Sequence, residues 1–341
     1  MRLLFITATR VGDAVLTTGL LEHLRRAHPG VAATVVCGRP SAPLFRSLPG
    51  LERLIPIEKR RFGLHYLALW RQLVGRRWDI AADLRRTPLP YLLRVGRQYR
   101  APKLPGRHRV MEVAAAMNLP QPPPPTLWLS DADRAEAARL VRPGGPVLAV
   151  APAANWVGKQ WRAERFARLV ERLTAPNGIL PNARVAVLAA ASERAQAAPV
   201  LDAIPVERRI DLVGAADLPV LGAVLQRAAL FVGNDSGLMH LAAAAGAPTL
   251  GLFGPSPDYR YAPWGEHAAL ARTRESYRAL VDAPGFDHRS TGTLMDGLSV
   301  DDAAAAAETL WRRMQGKAAL ARPRSRPWLS RTTKRRGWRN A

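Results

Sequence analysis

Short apolar runs alternate with amphipathic stretches from the first residues of the chain onward. A run over 2–8 predicts a strand, the spacing over 14–27 predicts a helix, and a run over 32–37 predicts a second strand. A strand, a helix and a strand in this order form a βαβ unit with parallel strands. The chain therefore opens as an α/β protein.

The same alternation restarts after a stretch that regular structure cannot easily cross. Prolines crowd residues 120–125, and Arg142-Pro143-Gly144-Gly145-Pro146 breaks the chain again. Beyond this break we expect strands and helices in alternation as far as residue 253, and then a helix capped by Ser299. The pattern indicates a second doubly wound unit.

A length of 341 residues suits two domains, each with its own core. We predict an N-terminal Rossmann-like domain over 1–140, a C-terminal Rossmann-like domain over 146–320, and a basic, disordered tail over 322–341. In such folds ligands bind at the carboxyl ends of the strands, here in a cleft between the domains.

The net charge of +23 is concentrated in two places. Residues 59–109 hold fourteen lysines and arginines against two acidic residues, and the tail holds eight basic residues and no acidic one. An anionic partner is implied, and nucleic acid, anionic lipid and phosphorylated glycolipid all fit. One cysteine, Cys37, no signal-peptide pattern and no spanning segment indicate a soluble or peripheral protein of a reducing compartment.

Three motifs at predicted strand ends carry the candidate chemistry. Gly12-Asp13 opens the first helix, where Asp13 is either a general base or only a helix cap. Lys159 lies in a small-residue loop that suits a diphosphate. Asp235-Ser236-Gly237, with His240 one turn later, offers backbone N–H groups at a helix N-terminus. The alternatives are that Asp235 only caps the helix and that His240 is a buried structural histidine.

Glu193 follows another predicted strand, where it either accepts hydrogen bonds from a ribose or caps its own turn. The sequence has no Gly-x-Gly-x-x-Gly at the first helix, no Walker loop and no Gly-x-Ser-x-Gly elbow. It also has no metal-ligand spacing. Dehydrogenase and P-loop ATPase functions therefore lose their main support, and we predict neither a metal nor another cofactor.

Taken together, these residues resemble glycosyltransferase family nine, the bacterial ADP-heptose:lipopolysaccharide heptosyltransferases. The resemblance spans residues 2–315 and rests on Gly12-Asp13, on Lys159-x-Trp161 followed by Glu164-Arg165-Phe166, and on the Asp235 to His240 motif ahead of Phe253-Gly254-Pro255. It implies a GT-B architecture and an inverting, metal-independent transfer of a sugar from a nucleotide sugar to an anionic glycan.

The resemblance also implies a role for each residue. Asp13 would be the general base, Glu193 would hold the ribose and Asp235 would orient the donor sugar. The donor diphosphate would lie against Lys159, Ser236, Gly237 and His240. The cations for the acidic acceptor sugar would be Lys59, Arg60 and Arg61. The enzyme would work at the inner face of the cytoplasmic membrane, in contact with anionic lipid through its basic surface and tail.

Three departures from the family pattern weaken the identity of the donor sugar most. Ala153-Ala154 replace hydroxyl side chains before the lysine, Arg162 replaces a proline, and residues 281–294 lack a cysteine. Two other function classes stay open at this point. One is a binding or assembly protein of the same fold without transfer activity. The other is a nucleic-acid-binding protein, which would leave the strand-end motifs unused.

Overall fold

A computed structural model of the protein describes residues 1–58, 63–282 and 286–321. The predicted acceptor residues Lys59, Arg60 and Arg61, and the predicted tail 322–341, lie outside the described residues. Among the described helices, none is long and apolar enough to cross a membrane.

The first half of the chain forms a parallel sheet of five strands in the order β3-β2-β1-β4-β5. The central strand β1 is almost wholly apolar and is buried on both faces, as parallel sheets require. The strands are β1 (Arg2–Ile6), β2 (Ala32–Gly38), β3 (Leu51–Ile57), β4 (Arg77–Asp83) and β5 (Arg94–Arg100).

The second half forms a parallel sheet of six strands in the order β11-β10-β9-β6-β7-β8. The strands are β6 (Val147–Ala151), β7 (Arg184–Val187), β8 (Arg209–Asp211), β9 (Leu230–Asn234), β10 (Thr249–Phe253) and β11 (Ala268–Arg272). Its neighbouring strands β6 and β9 place their carboxyl ends side by side. Two doubly wound parallel sheets confirm the predicted α/β class.

Helices connect the strands and cover both sheets. They are α1 (Val11–Val15), α2 (Thr18–Ala27), α3 (Leu64–Leu73), α4 (Arg109–Ala115), α5 (Asp131–Leu140), α6 (Ala163–Thr174), α7 (Arg194–Asp202), α8 (Leu218–Leu225), α9 (Gly237–Ala245), α10 (Asp258–Tyr261), α11 (Tyr277–Val281) and α12 (Val300–Ala321). The predicted cap of the last helix is confirmed, because the Ser299 hydroxyl accepts a hydrogen bond from the Asp302 amide at 3.0 Å.

The single helix predicted over 14–27 is wrong, because the structure divides it into α1 and α2. Thr17 donates its hydroxyl to the Ala14 carbonyl at 2.7 Å, and Thr18 donates to the Val15 carbonyl at 2.8 Å. Threonine hydroxyls compete in this way with the backbone ladder. Helix α1 therefore ends after one turn. It also starts earlier than expected, at Val11.

The two sheets share one continuous apolar core. Helix α1 packs on α9, and the connecting helix α5 packs on α8. Arg46 bonds both Asp133 of α5 and Asp217 at the start of α8, so the two halves are also joined by charge. These contacts place the carboxyl ends of β1 and β9 close to each other.

Candidate functional site

Asp13 lies half-buried on α1, directly beyond the carboxyl end of the central strand β1. Burial is the largest influence on its carboxyl group and raises its pKa above the ordinary value. The guanidinium groups of Arg109, Arg10 and Arg260 oppose this rise, whereas the charge of Asp235 adds to it. Asp13 is thus a carboxylate made more basic by desolvation.

Two glycines let α1 approach α9 closely. A Cβ at Gly12 would lie 2.7 Å from Cδ2 of His240, and a Cβ at Gly237 would lie 2.9 Å from Cβ of Val11. Real side chains do not tolerate such distances, so both positions need glycine here. The approach brings Asp13 from the first sheet beside the Asp235 to His240 motif from the second.

Lys159 and Asp235 form an ion pair, with 2.6 Å between Nζ and Oδ2. Lys159 follows β6 on a 3-10 turn (Val157–Lys159) and Asp235 follows β9, so the pair joins the ends of two neighbouring strands. The Asp235 side chain is only 8% exposed, and a carboxylate buried to that extent needs a partner. Two predicted site residues are therefore in direct contact.

Asn234 fixes the loop that carries Lys159. Its amide nitrogen donates to the Pro152 carbonyl at 2.7 Å, and its amide oxygen accepts from the Trp161 backbone at 3.2 Å. Asn234 has no role in the sequence-based predictions; the signal in the sequence is an amide side chain at the end of an apolar run, and the structure shows that this amide is buried.

The start of α9 carries two buried polar atoms without a hydrogen-bond partner in the described part of the chain. They are Oγ of Ser236 and Nδ1 of His240. Ser236, and not Asp235, occupies the N-cap position, and it makes no side-chain cap. The predicted alternative in which Asp235 caps the helix is therefore wrong, because the Asp235 carboxylate pairs with Lys159 instead. Buried polar groups are usually paired, which marks both atoms as candidates for a ligand.

His240 is buried and its imidazole is neutral. Burial lowers its pKa to about 4, and the charges of His108 and Lys159 act in the same direction while Asp235 opposes them. A neutral imidazole both donates and accepts one hydrogen bond.

Glu193 caps its own turn, since Oε2 accepts from the Ala190 amide at 2.9 Å. The turn is nevertheless tied to the Lys159 loop through Gln196, whose Oε1 accepts from the Ala154 amide at 3.3 Å and from Nε2 of Gln160 at 2.8 Å. Among the described residues, no hydrogen bond or ion pair joins Glu193 itself to Lys159 or Asp235.

Two ionic contacts of this region join residues far apart in sequence. Arg162 forms a bidentate pair with Asp296 at 2.6 Å, which gives a role to the residue that departs from the family proline. Arg260 of α10 forms a bidentate pair with the buried Glu112 of α4, at 2.6 and 2.7 Å. Arg109 also donates to Glu112, at 2.9 Å, so this carboxylate holds two of the cations around Asp13.

The Arg109–Glu112–Arg260 cluster crosses from one half of the protein to the other. His108 extends it, because its Nε2 lies 2.9 Å from the Ala262 carbonyl and its ring packs on Trp264 at 4.7 Å between centroids. Within the described residues, no group of three or more histidine, cysteine or acidic side chains is arranged to hold a metal ion.

The sequence profile of glycosyltransferase family 9 (heptosyltransferase) matches residues 85–282, more than half of the chain. This chain belongs to glycosyltransferase family 9. This protein is thus a glycosyltransferase, and its two parallel sheets are those of the GT-B architecture.

Relatives agree with this assignment. The chain is similar to lipopolysaccharide heptosyltransferase 1 of Pseudomonas aeruginosa, with 29% identity over 75% of this chain and 79% of that protein. It is similar in fold to a glycosyl transferase family 9 protein of Veillonella parvula, with a TM-score of 0.74 and 22% identity over 91% of this chain and 97% of that one. An E. coli heptosyltransferase with ADP-2-deoxy-2-fluoro heptose gives a TM-score of 0.59 and 20% identity over 80% and 93%.

The burial of His240 predicts how stability depends on pH. Its pKa is about 4 in the folded state against an ordinary 6.5, so between these values the unfolded chain binds more protons. The contribution of the neutral His240 side chain to the free energy of unfolding is fully present above pH 6.5 and is lost as the pH falls towards 4. Thermal unfolding across this range should therefore give a stability gap between wild type and His240→Gln that narrows on acidification. The exposed His288 provides the control variant His288→Gln. A stability gap between wild type and His240→Gln that does not change with pH would contradict a lowered pKa of His240.

Proposed function

We propose that this glycosyltransferase moves a heptose from ADP-heptose to a sugar of a lipopolysaccharide core, with inversion at the anomeric carbon. This donor and acceptor are supported by membership of family 9, by the similarity to the lipopolysaccharide heptosyltransferase of Pseudomonas aeruginosa, and by the ADP-2-deoxy-2-fluoro heptose of the E. coli structure. In the proposal, residues 1–140 bind the acceptor and residues 146–320 bind the donor.

The donor diphosphate lies at the start of α9 in this proposal. The first amides of a helix and its dipole attract anions, and Ser236, Gly237 and His240 supply backbone and side-chain hydrogen bonds there. The free hydrogen-bonding capacity of the Ser236 Oγ and of the His240 Nδ1 supports this placement. Lys159 turns from Asp235 towards the diphosphate and neutralises it, since its ammonium carries three donors.

The rest of the donor is bound by two carboxylates. Asp235 accepts hydrogen bonds from the hydroxyl groups of the sugar, which replace the partner that its carboxylate loses when Lys159 turns to the diphosphate. Glu193 has one carboxylate oxygen engaged with the Ala190 amide, and its second oxygen accepts from the ribose.

Asp13 is the general base. The observation that carries this role is the close approach of Gly12 to His240, because it places the neighbouring Asp13 beside the proposed donor site. The acceptor oxygen forms a bond to the anomeric carbon while the bond from that carbon to the diphosphate breaks. The hydroxyl proton moves to the Asp13 carboxylate, whose pKa is raised by burial and so suits proton uptake. Lys159 and the N-terminus of α9 stabilise the charge of the departing diphosphate.

Lys59, Arg60 and Arg61 are the proposed cations for the acidic acceptor sugar. We also propose that the enzyme contacts anionic lipid at the inner face of the cytoplasmic membrane, through its basic surface and its tail. A protein of the same fold that binds the donor without transferring it is the alternative, and the following variants separate the two.

Two substitutions should separate donor binding from transfer. Asp13→Asn should keep ADP affinity in isothermal titration but lower the rate of transfer about 10²–10⁴-fold, the usual value of a general base. Lys159→Ala should weaken ADP binding by roughly tenfold or more, because a charge-assisted contact to phosphate is lost. Lys317→Ala changes an exposed lysine paired with Glu266 and is the matched control.

The results that contradict the proposal are specific. Full transfer activity in Asp13→Asn would remove the base, and unchanged ADP affinity in Lys159→Ala would remove the diphosphate site. Tight ADP binding by the wild type with no transfer to any acceptor would favour the non-catalytic alternative.

Arg260 should lower the pH at which the enzyme becomes active, together with Arg109 and Arg10. Its charge opposes the rise in the Asp13 pKa, so Arg260→Gln should raise that pKa further. A base acts only when it is deprotonated, and the acidic limb of kcat/KM should therefore move to higher pH. Arg162→Gln removes a comparable ion pair away from Asp13 and should leave the limb in place. A limb that does not move in Arg260→Gln would show that another group governs it.

A further inference from the structure

Four large apolar side chains are exposed on one side of the first sheet. Leu64 and Leu67 lie on α3 and are 54% and 46% exposed, and Tyr91 and Leu92 lie on a 3-10 turn (Leu89–Leu92) and are 66% and 59% exposed. Single exposed leucines are ordinary, but a contiguous apolar area on a soluble surface marks a place of interaction. We name these four residues the leucine–tyrosine face.

The two parts of this face are adjacent. Trp70 of α3 donates its indole N–H to the Leu92 carbonyl at 3.1 Å, which ties the helix to the turn. Leu64, Leu67 and Arg71 follow one another at three- and four-residue spacing and so share one side of α3. The other side of α3 is buried through Leu69 and Leu73.

Two arginines border the leucine–tyrosine face. Arg71 is exposed on the same side of α3 as Leu64 and Leu67, and the Arg100 guanidinium lies 5.0 Å from the centre of the Tyr91 ring and 2.5 Å from its hydroxyl oxygen. Leucine and tyrosine within a cationic border match the interface of an anionic bilayer, where apolar groups enter the headgroup region and guanidinium groups bind lipid phosphates.

We propose that the leucine–tyrosine face rests on anionic lipid, with Leu64, Leu67 and Leu92 inserted at the boundary between headgroups and acyl chains. The inference rests on the proposed function, in which the acceptor is lipid-linked and its acidic sugar is held by residues 59–61. Leu64 follows that segment by three residues in sequence. The chain therefore runs from the proposed acceptor segment straight into the helix that carries two residues of the face, which suits an enzyme acting on a lipid-linked acceptor.

The position of each residue relative to the lipid can be measured in the full chain. Cys37 is buried, and burial raises the pKa of its thiol to about 12, so an introduced surface cysteine can be labelled selectively. Leu67→Cys and Leu92→Cys, each carrying an environment-sensitive fluorophore, are mixed with vesicles of phosphatidylglycerol in phosphatidylethanolamine. Val206→Cys is the matched control, because Val206 is 75% exposed on the other half of the protein.

The fluorophores at 67 and 92 should shift to the blue and gain intensity on these vesicles, while the one at 206 should not change. Unchanged spectra at 67 and 92 on vesicles that do sediment the protein would overturn the proposal, because the tail or another surface would then be the anchor. No sedimentation at all would overturn it as well. A change of spectrum on self-association without lipid would identify a second copy of the chain as the partner instead.

A second measurement separates this inference from the proposed function. The triple variant Leu64→Ser, Leu67→Ser and Leu92→Ser should lose about tenfold in vesicle binding, from the apolar area withdrawn from the bilayer. It should transfer heptose to a delipidated acceptor at the wild-type rate but to a vesicle-embedded acceptor more slowly. The control Val206→Ser should match wild type on both acceptors. Equal loss on both acceptors would overturn the membrane role, whereas no transfer by the wild type to either acceptor would mean that the proposed function has failed.

Discussion

The close packing of α1 on α9 is the contact on which the rest of the site depends. It requires glycine at two facing positions, Gly12 and Gly237, because a Cβ at either would clash with a side chain of the opposite helix. Each helix begins at the carboxyl end of a central strand of its own sheet. The contact therefore places the two strand ends, and the polar residues that follow them, in one cleft.

The buried carboxylates around this contact are stabilised by nearby cationic side chains rather than by hydration. Asp13 is desolvated but faces three arginines, and Asp235 is paired with Lys159. Glu112, buried between the halves, holds Arg109 and Arg260 in place. A buried carboxylate without a partner would be costly, so these pairs also keep the two halves in one arrangement. In our proposal the donor diphosphate replaces Asp235 as the partner of Lys159.

The sequence was sufficient to predict the features that local patterns encode. Continuous apolar runs and helical spacing predicted both parallel sheets, and the segments that follow the strands contain Asp13, Lys159 and Asp235. Strand ends are informative because parallel strands collect their carboxyl ends at one edge. Local hydroxyl bonding at Thr17 and Thr18 was missed, since periodicity does not report side chains that bond back to the backbone.

Long-range pairing was beyond the reach of sequence patterns. Glu112 and Arg260 are 148 residues apart, and Arg162 and Asp296 are 134 apart. No local spacing relates such residues, so the cation cluster around Asp13 and the role of Arg162 appear only in the folded chain. Glu193 illustrates a different limit, because the same residue type fits a turn cap and a ribose ligand, and the structure contains the cap.

In our proposal the donor and the base meet across the α1–α9 contact. A crystal structure of this protein with ADP-2-deoxy-2-fluoro heptose, a slow-reacting form of the proposed donor, would show whether they do. We expect the diphosphate at the start of α9 within hydrogen-bond distance of the Lys159 ammonium, and the anomeric carbon facing Asp13 with room for one acceptor hydroxyl between them. A diphosphate bound elsewhere, or a sugar directed away from Asp13, would contradict it.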